Sequence, residues 1–448
     1  MIKHKIMSGI ANLIQMNLPC LIKGKILLVL IFLVPVFSSM HASAQKQLEV
    51  NAVPYPGKDP VMWDGVYAAS DGKVYSGLIT EGASAHFYVY DPTTGVNILL
   101  ADMAEFLGSR GKGVRTPGKI HNKPVEDNEG YIYFVPMNNG SGPRNIDFRS
   151  WEGGHWIKYD PGTNKMEDLG LVDQHVGCYP LAIDKERKLL FGVGFNGYLY
   201  KFDIDKRITT KLARVTNWDI TRDIFCDDKG NVYGSFPTAR IWKYEAETGR
   251  VTDLDIRQPY DPSYWPTQMS NPMIDRSMDW RAVEWDTVYK VTWGITCGTG
   301  NTLFRFDPHQ GPQGQITAVT RMCDPKYWGT DNKNVPYSPL SFGIDSKNQK
   351  VYFVPSAREY NIGKYEETFG AEETHHLIMY DIASEQRIDL GEMVTSDGRR
   401  VFGCEGISVA PDGTVYIVGE VEVKNREDAT RTVGRTPIAL QLVIYKPE

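Results

Sequence analysis

Along most of this chain, apolar and polar residues alternate with a period of two in short runs closed by Gly, Asp, Asn or Pro, the pattern of half-buried strands joined by tight turns. Asp71-Gly72-Lys73-Val74-Tyr75 is followed by Phe87-Tyr88-Val89-Tyr90-Asp91-Pro92, a hairpin and then a strand ending in an acidic turn. The same unit recurs at 130–134 with 156–161, 188–192 with 199–203, and 229–234 with 241–244. It is read again at 287–293 with 303–308, 350–353 with 377–381, and 412–416 with 442–445. Helical periodicity is confined to 101–109 and 363–374, room for a single turn or a short helix.

A repeat of roughly 40–60 residues holding four short strands predicts a β-propeller, because one blade cannot bury both of its faces whereas a closed ring of blades can. The expected fold is all-β: a seven-bladed β-propeller of four-stranded antiparallel blades, one domain over 45–448, preceded by a signal peptide at 1–44. Six or eight blades are the alternatives, since an insert at 257–280 stretches the fifth unit.

The signal peptide is read from Lys3, Lys5, Lys23 and Lys25, the apolar run 26–37, and Ala42-Ser43-Ala44 before Gln45. The run is short for a membrane span, so a secreted or periplasmic mature chain is expected, with translation starting at Met1 or Met16; an uncleaved anchor is the alternative. Loss of those four lysines takes the net charge from −6 to −6 − 4 = −10. An acidic chain without a basic run argues against nucleic acid and anionic membranes, and leaves an acidic glycan as a partner for a local basic cleft. The mature chain is expected to be a monomer. It keeps Cys178, Cys226, Cys297, Cys323 and Cys404, an odd number and too few for a disulfide scaffold.

Innermost strands of a propeller start near the axis at one face, so residues just before each hairpin converge there. That face collects Lys112, Arg115, Lys119 and His121; His175, Cys178 and Tyr179; Arg222 and Asp223; Trp280, Arg281 and Glu284; Ser341; Cys404 and Glu405, with Asn138 and His155 from neighbouring loops. No Gly-x-Ser-x-Gly elbow, phosphate loop, His-Glu-x-x-His or Cys-x-x-Cys is present. Imidazole, phenol and cation together suit removal of a proton α to a carboxylate. The cation offsets the charge of the developing enolate, His or Tyr takes the proton, and imidazole or phenol protonates the leaving oxygen. This is β-elimination at a uronic acid. His175 and Cys178, with Cys404 from the closing blade, have the spacing of a weak metal set, with structural zinc or calcium as the candidate ion and no cofactor required.

The stretches Gly118-Lys119-Ile120-His121, Gly130-Tyr131-Ile132-Tyr133-Phe134 and Gly153-Gly154-His155-Trp156-Ile157-Lys158-Tyr159-Asp160-Pro161 resemble the exported seven-bladed lyases that cut ulvan, polysaccharide lyase families 24 and 25. They are also similar to the glycoside hydrolase family 145 propellers, which act on rhamnose–glucuronate linkages. The resemblance covers most of the mature chain as blade pattern, and specific residues from about 112 to 225. It implies that His121 is the first active-site histidine, Arg222 the carboxylate-neutralising arginine and Tyr179 the tyrosine. Lys119, Arg115, Asn138, His155, Trp280 and Arg281 are expected to contact substrate from their positions on the same face. The chain departs from those lyases after the second hairpin, where Val135-Pro136-Met137-Asn138-Asn139 stands in place of a Thr-His pair. The second histidine is then His155, His175 or absent.

Structural roles compete at each position. His121 as a strand-end histidine bonded to a carbonyl, His155 as a strand residue, Arg222 paired with Asp223 or Glu284, and His375-His376 on the surface are the alternatives. Three functions stay open: the lyase, a rhamnosidase-type hydrolase with its pocket on either face, and a glycan- or protein-binding propeller without catalysis.

Overall fold

The acidic turn of the repeat is an aspartate that closes on its own hairpin. Asp127 accepts hydrogen bonds from the Glu129 and Tyr131 amides at 3.0 and 2.9 Å and from the Tyr133 hydroxyl at 2.8 Å. Asp227 does the same for Lys229, Asn231 and Tyr233, and Asp71 for Lys73 and Tyr75. A left-handed glycine, Gly130 or Gly230, completes the turn. The aspartates of the Tyr-Asp-Pro turns, Asp91 and Asp160, cap the backbone amides two residues on at 2.9 Å, while Tyr90 and Tyr159 pack inward.

The computed structural model describes residues 46–57, 61–79, 84–138, 146–216, 223–236, 240–257, 280–296, 301–324, 335–336, 341–355, 357–361, 364–366, 375–433 and 435–448. The signal peptide, Arg222 and Cys297 lie outside them. A short α-helix occupies Met103–Phe106, as the 101–109 pattern allows. At 363–374 the described part is instead a strand, Lys364–Glu366, paired with Ala357–Asn361.

The chain is an all-β propeller of antiparallel four-stranded sheets. Among the described residues five of these stand alone, with first strands Val66–Ala68, Val125–Glu126, Cys178–Asp184, Ile224–Cys226 and Trp280–Asp286. Seven separate sheets were expected; here the main strands that remain form one nine-stranded sheet. In it, Phe342–Asp345, Lys350–Phe353, His376–Asp381 and Gln386–Thr395 run in series to Gln47–Pro54, followed by Thr436–Tyr445, Val415–Glu422 and Val401–Val409. The fusion comes from Gln47–Pro54, whose first half pairs in parallel with 392–395 and whose second half pairs antiparallel with 441–444.

Burial follows position within a sheet. Second strands such as Val74–Ile79 and Val291–Thr296 are buried at every residue, covered by neighbouring sheets on both faces. Fourth strands such as Ile208–Arg214 are largely exposed. First strands touch in series: Val125–Glu126 against Cys178–Asp184, then Ile224–Cys226, Trp280–Asp286, Phe342–Asp345 and Val401–Val409, which meets Val66–Ala68. They surround the axis on which the site is built.

Candidate functional site

The hairpin carrying His121 is interrupted at its head. Lys119–Ile120 pairs with Pro136–Met137, Val125–Glu126 pairs with Ile132–Phe134, and 121–124 bridges the gap. Asn122 fills the missing rungs: its side chain donates to the Val135 carbonyl at 2.7 Å and accepts from the Val135 amide at 3.1 Å. Ile120 is packed against Gly77, where any Cβ would collide with it. With Ile120 and Asn122 pinned, the alternate residues Lys119, His121 and Lys123 turn the other way.

Tyr179 comes from the next sheet. Between Cys178 and Leu181 the pairing with 192–194 slips by one residue. Pro180 has no amide to give the ladder, and the resulting bulge re-aims Tyr179. The same slip recurs at Arg281, between Trp280 and Ala282, and at Glu405, between Cys404 and Gly406. Three polar residues singled out from the sequence thus occupy bulges at the heads of first strands.

The structure brings His121, Tyr179 and Lys119 together. The His121 and Tyr179 rings meet edge to face, 4.8 Å between centroids at 87°. Trp63, from the segment leading into the first sheet, lies 5.2 Å from His121. The Lys119 ammonium is 4.0 Å from the Trp63 centroid and 5.4 Å from that of Tyr179. Phe195 touches Tyr179 at 6.5 Å and stacks on Trp151 at 5.9 Å, continuing the aromatic wall. His121 and Lys119 are buried, at 3% and 4% exposure, while Trp63 and Tyr179 are half-buried.

Other expected residues take structural positions. Trp280 is fully buried and donates its indole N–H to the Asp223 carbonyl at 2.8 Å, so it is core rather than a ligand contact. Asn138 is buried and donates to the Thr116 carbonyl at 2.9 Å. The Arg115 guanidinium holds the Ile146 carbonyl at 2.9 Å. His155 pairs with Asp168 at 2.9 Å on the outer strands. His376, expected on the surface, is 3% exposed and makes the equivalent pair with Asp389 at 2.8 Å. His175 is exposed, in a left-handed turn, with Nδ1 on the Trp151 carbonyl.

The metal set does not assemble. Cys178 and Cys404 belong to different core clusters, and burial pushes both thiols up, Cys404 to about 12. No group of three or more His, Cys, Asp or Glu among the described residues is placed to hold a metal.

Below this group the axis is crossed by charge. Lys123 pairs with Glu284 and donates to the Ile407 carbonyl at 3.3 Å, while Glu284 accepts from the Ile344 amide at 2.9 Å. Burial pushes the Lys123 ammonium down, against the upward pull of Asp64 and Asp223. Burial, reinforced by Asp64, holds Asp223 well above the usual carboxylate range although two amides, Val283 and Ile224, bond it at 2.9 Å. Beyond it, at the other ends of the first strands, a cavity of about 890 Å³ opens among Tyr67, Glu126, Phe225, Trp285 and Asp345. His121, Tyr179 and Lys119 do not line it.

Trp63 and Lys123 were missed in the sequence. Trp63 occupies, in the first unit, the same pre-hairpin place that flagged His121 and Tyr179 in theirs, so extending that reading to the first unit would have found it. Lys123 carries no local signal, because its partner is 161 residues away.

No protein-family profile matches the chain, and no curated protein does. Solved structures do match, at low identity. A catalytically inactive variant of virginiamycin B lyase from Staphylococcus aureus, crystallised with quinupristin, is 9% identical over 89% of this chain and 99% of its own, with a TM-score of 0.52. The β-propeller domain of Myceliophteria thermophila Cps50 (Swd1) is 11% identical over 82% and 96%, with a TM-score of 0.51. A chain of a mitotic checkpoint complex is 10% identical over 88% and 94%, with a TM-score of 0.49. The first two show the propeller fold alone. The resemblance to ulvan lyases and family 145 hydrolases finds no counterpart among these three.

Proposed function

We propose that this chain is an exported carbohydrate-active enzyme that cleaves a uronic-acid-containing polysaccharide, of the ulvan type, by β-elimination. The observation that carries the reading is the meeting of His121, Tyr179 and Lys119 from two sheets at the heads of first strands. The reaction needs a base at the proton on C5, an acid at the oxygen leaving C4, and a cation beside the carboxylate. His121 and Tyr179 supply the two proton-transfer groups. The C5–H and C4–O bonds break, a C4=C5 double bond forms, and the leaving oxygen takes a proton. On this reading the nine-stranded sheet counts as two blades sharing Gln47–Pro54, which makes the ring seven-membered.

Incubation with ulvan and other uronate polysaccharides tests it. An unsaturated product absorbing near 235 nm is expected; no absorbance with any polymer, while the protein is folded, removes the lyase reading. A second reading draws on the cavity at the far end of the axis. Its aromatic walls, Trp285 and Phe225, and its polar floor suit a sugar bound there by a hydrolase or a non-catalytic propeller. Reducing ends released without 235 nm absorbance would favour the hydrolase, and binding without cleavage the propeller.

A further inference from the structure

His121 and Tyr179 both stand where regular strand pairing breaks. The ladder of the His121 hairpin lapses over 121–124, and the bulge between Cys178 and Leu181 releases Tyr179 from its own. The rings nevertheless meet at 4.8 Å and 87°, although they come from different sheets. Regular pairing within either sheet does not set that spacing.

Asn122 supplies a bond between the two. Its side chain is fully buried and serves three backbone groups. The amide nitrogen donates to the Val135 carbonyl at 2.7 Å and to the Cys178 carbonyl at 3.3 Å, while the amide oxygen accepts from the Val135 N–H at 3.1 Å. Two acceptors on the nitrogen and a donor on the oxygen fix which way the amide faces. Val135 belongs to the hairpin that carries His121, whereas Cys178 opens the first strand of the next sheet, immediately before Tyr179. Cys178 is itself held: it is fully buried, and its sulfur lies 2.8 Å from where a Cβ on Gly192 would stand. One amide thus joins the residue after His121 to the residue before Tyr179.

We propose that Asn122 is the positioning residue of the reacting pair, holding His121 and Tyr179 at the separation their two proton transfers require. This rests on the β-elimination reading above. Being fully buried, Asn122 acts through its neighbours and not on the substrate. The transfers occur at adjacent points, the C5 proton and the oxygen leaving C4. An error in ring spacing therefore misplaces one group whenever the other is engaged, and a displacement of about 1 Å can cost ~10²-fold in rate. Away from water each of these hydrogen bonds is stronger than it would be at the surface, which suits a fixed spacer.

The experiment is a double-mutant cycle on kcat and KM in the 235 nm assay with ulvan, with folding of each variant checked by urea denaturation. Asn122→Ser keeps a hydroxyl for one Val135 group but is too short to span both sheets. It is expected to lower kcat by ~10- to 100-fold, with KM within about threefold of wild type. Placed on Tyr179→Phe, where no phenol remains to be positioned, it should cost under about threefold more. Asn122→Gln keeps the amide but displaces it by one methylene, and should lose only about three- to tenfold in kcat. A folded Asn122→Ser protein with wild-type kcat, a loss confined to KM, or full multiplication of the two losses in the double variant overturns the assignment and leaves the lyase reading standing. A folded wild type that yields no 235 nm absorbance from any uronate polymer overturns both. Should Asn122→Ser not fold, Asn122→Gln decides: wild-type kcat, or full multiplication with Tyr179→Phe, overturns the proposal.

Discussion

Lys123 of the second sheet reaches across the axis to the carboxylate of Glu284 in the fifth. The pair ties Ile407 and Ile344 of the nine-stranded sheet to it through their backbone groups. Both side chains are partly exposed, at 19%, so removing one partner leaves the other only partly compensated by solvent. Lys123→Met should therefore cost about 1–3 kcal/mol of stability, and the Lys123→Met/Glu284→Gln double variant should recover a large part of it. Urea denaturation of both proteins measures this; equal losses in the single and double variants would show that the pair does not act as a unit.

His121→Ala should lower turnover in the 235 nm assay by at least ~10²-fold, the scale of general acid–base help. Because His121 is buried between Trp63 and Tyr179, the variant also loses packing, so His121→Gln serves as its companion. Both should lose activity per folded molecule. Cleavage at the wild-type rate by either would remove His121 from the chemistry.

Tyr179→Phe deletes only the hydroxyl. The ring contacts with His121, Phe195 and Lys119 survive, so thermal stability should stay within about 1 kcal/mol while turnover falls by ~10²-fold or more. A large drop in melting temperature with normal turnover would mark Tyr179 as a packing residue.

The outer strands predict a pH response. Burial alone would raise Asp389, but the hydrogen bond and charge of His376 and the Gly391 amide outweigh it, and its carboxyl lies below the ordinary range. A carboxyl depressed on folding stabilises above its unfolded value of ~3.9, and this contribution fades as pH falls through the lower folded value. Melting temperature should hold from pH 7 to about 5 and decline below about 4. His376→Gln should lower the plateau near neutral pH and make the acid limb shallower, because Asp389 without its main partner is no longer held below its unfolded value and so has less stabilisation to lose. Superimposable acid limbs would refute this.

Val50 is 2% exposed and packs with Val415 and Val443 where Gln47–Pro54 joins its two neighbours. Val50→Asp should destabilise by about 3–5 kcal/mol through an unpaired buried carboxylate. A shift under about 1 kcal/mol by denaturant titration would mean that this strand does not hold the sheet together.

The propeller was legible because its determinants are local: Asp127, Gly130 and Tyr133 make their turn from seven consecutive residues, and an aspartate closes the turn in the same way at Asp71 and Asp227. His121, Tyr179 and Lys119 were legible because a strand's head can be located from its turn. Trp280 was misread for the same reason, since position alone does not tell a ring that lines a site from one that packs under Asp223. The proposed metal set failed on a longer-range property, as sequence spacing does not reveal that Cys178 and Cys404 are enclosed in separate cores. The two sheets fused through Gln47–Pro54 were invisible because the parallel pairing of 47–50 with 392–395 has no turn to mark it.

That fused strand also imposes an order on synthesis. Asn51 pairs with Ile444, which lies 444 − 51 = 393 residues later. At a ribosomal rate of about 5–20 residues per second, the strand waits roughly 20–80 s after its own synthesis for this partner. Until 392–395 are made both halves of the strand lack their final neighbours, and until 441–444 are made its second half still does, so the sheet cannot be completed. The nascent chain is thus held in an unclosed state by its own connectivity, and a chaperone that must act on it before folding has that interval in which to do so.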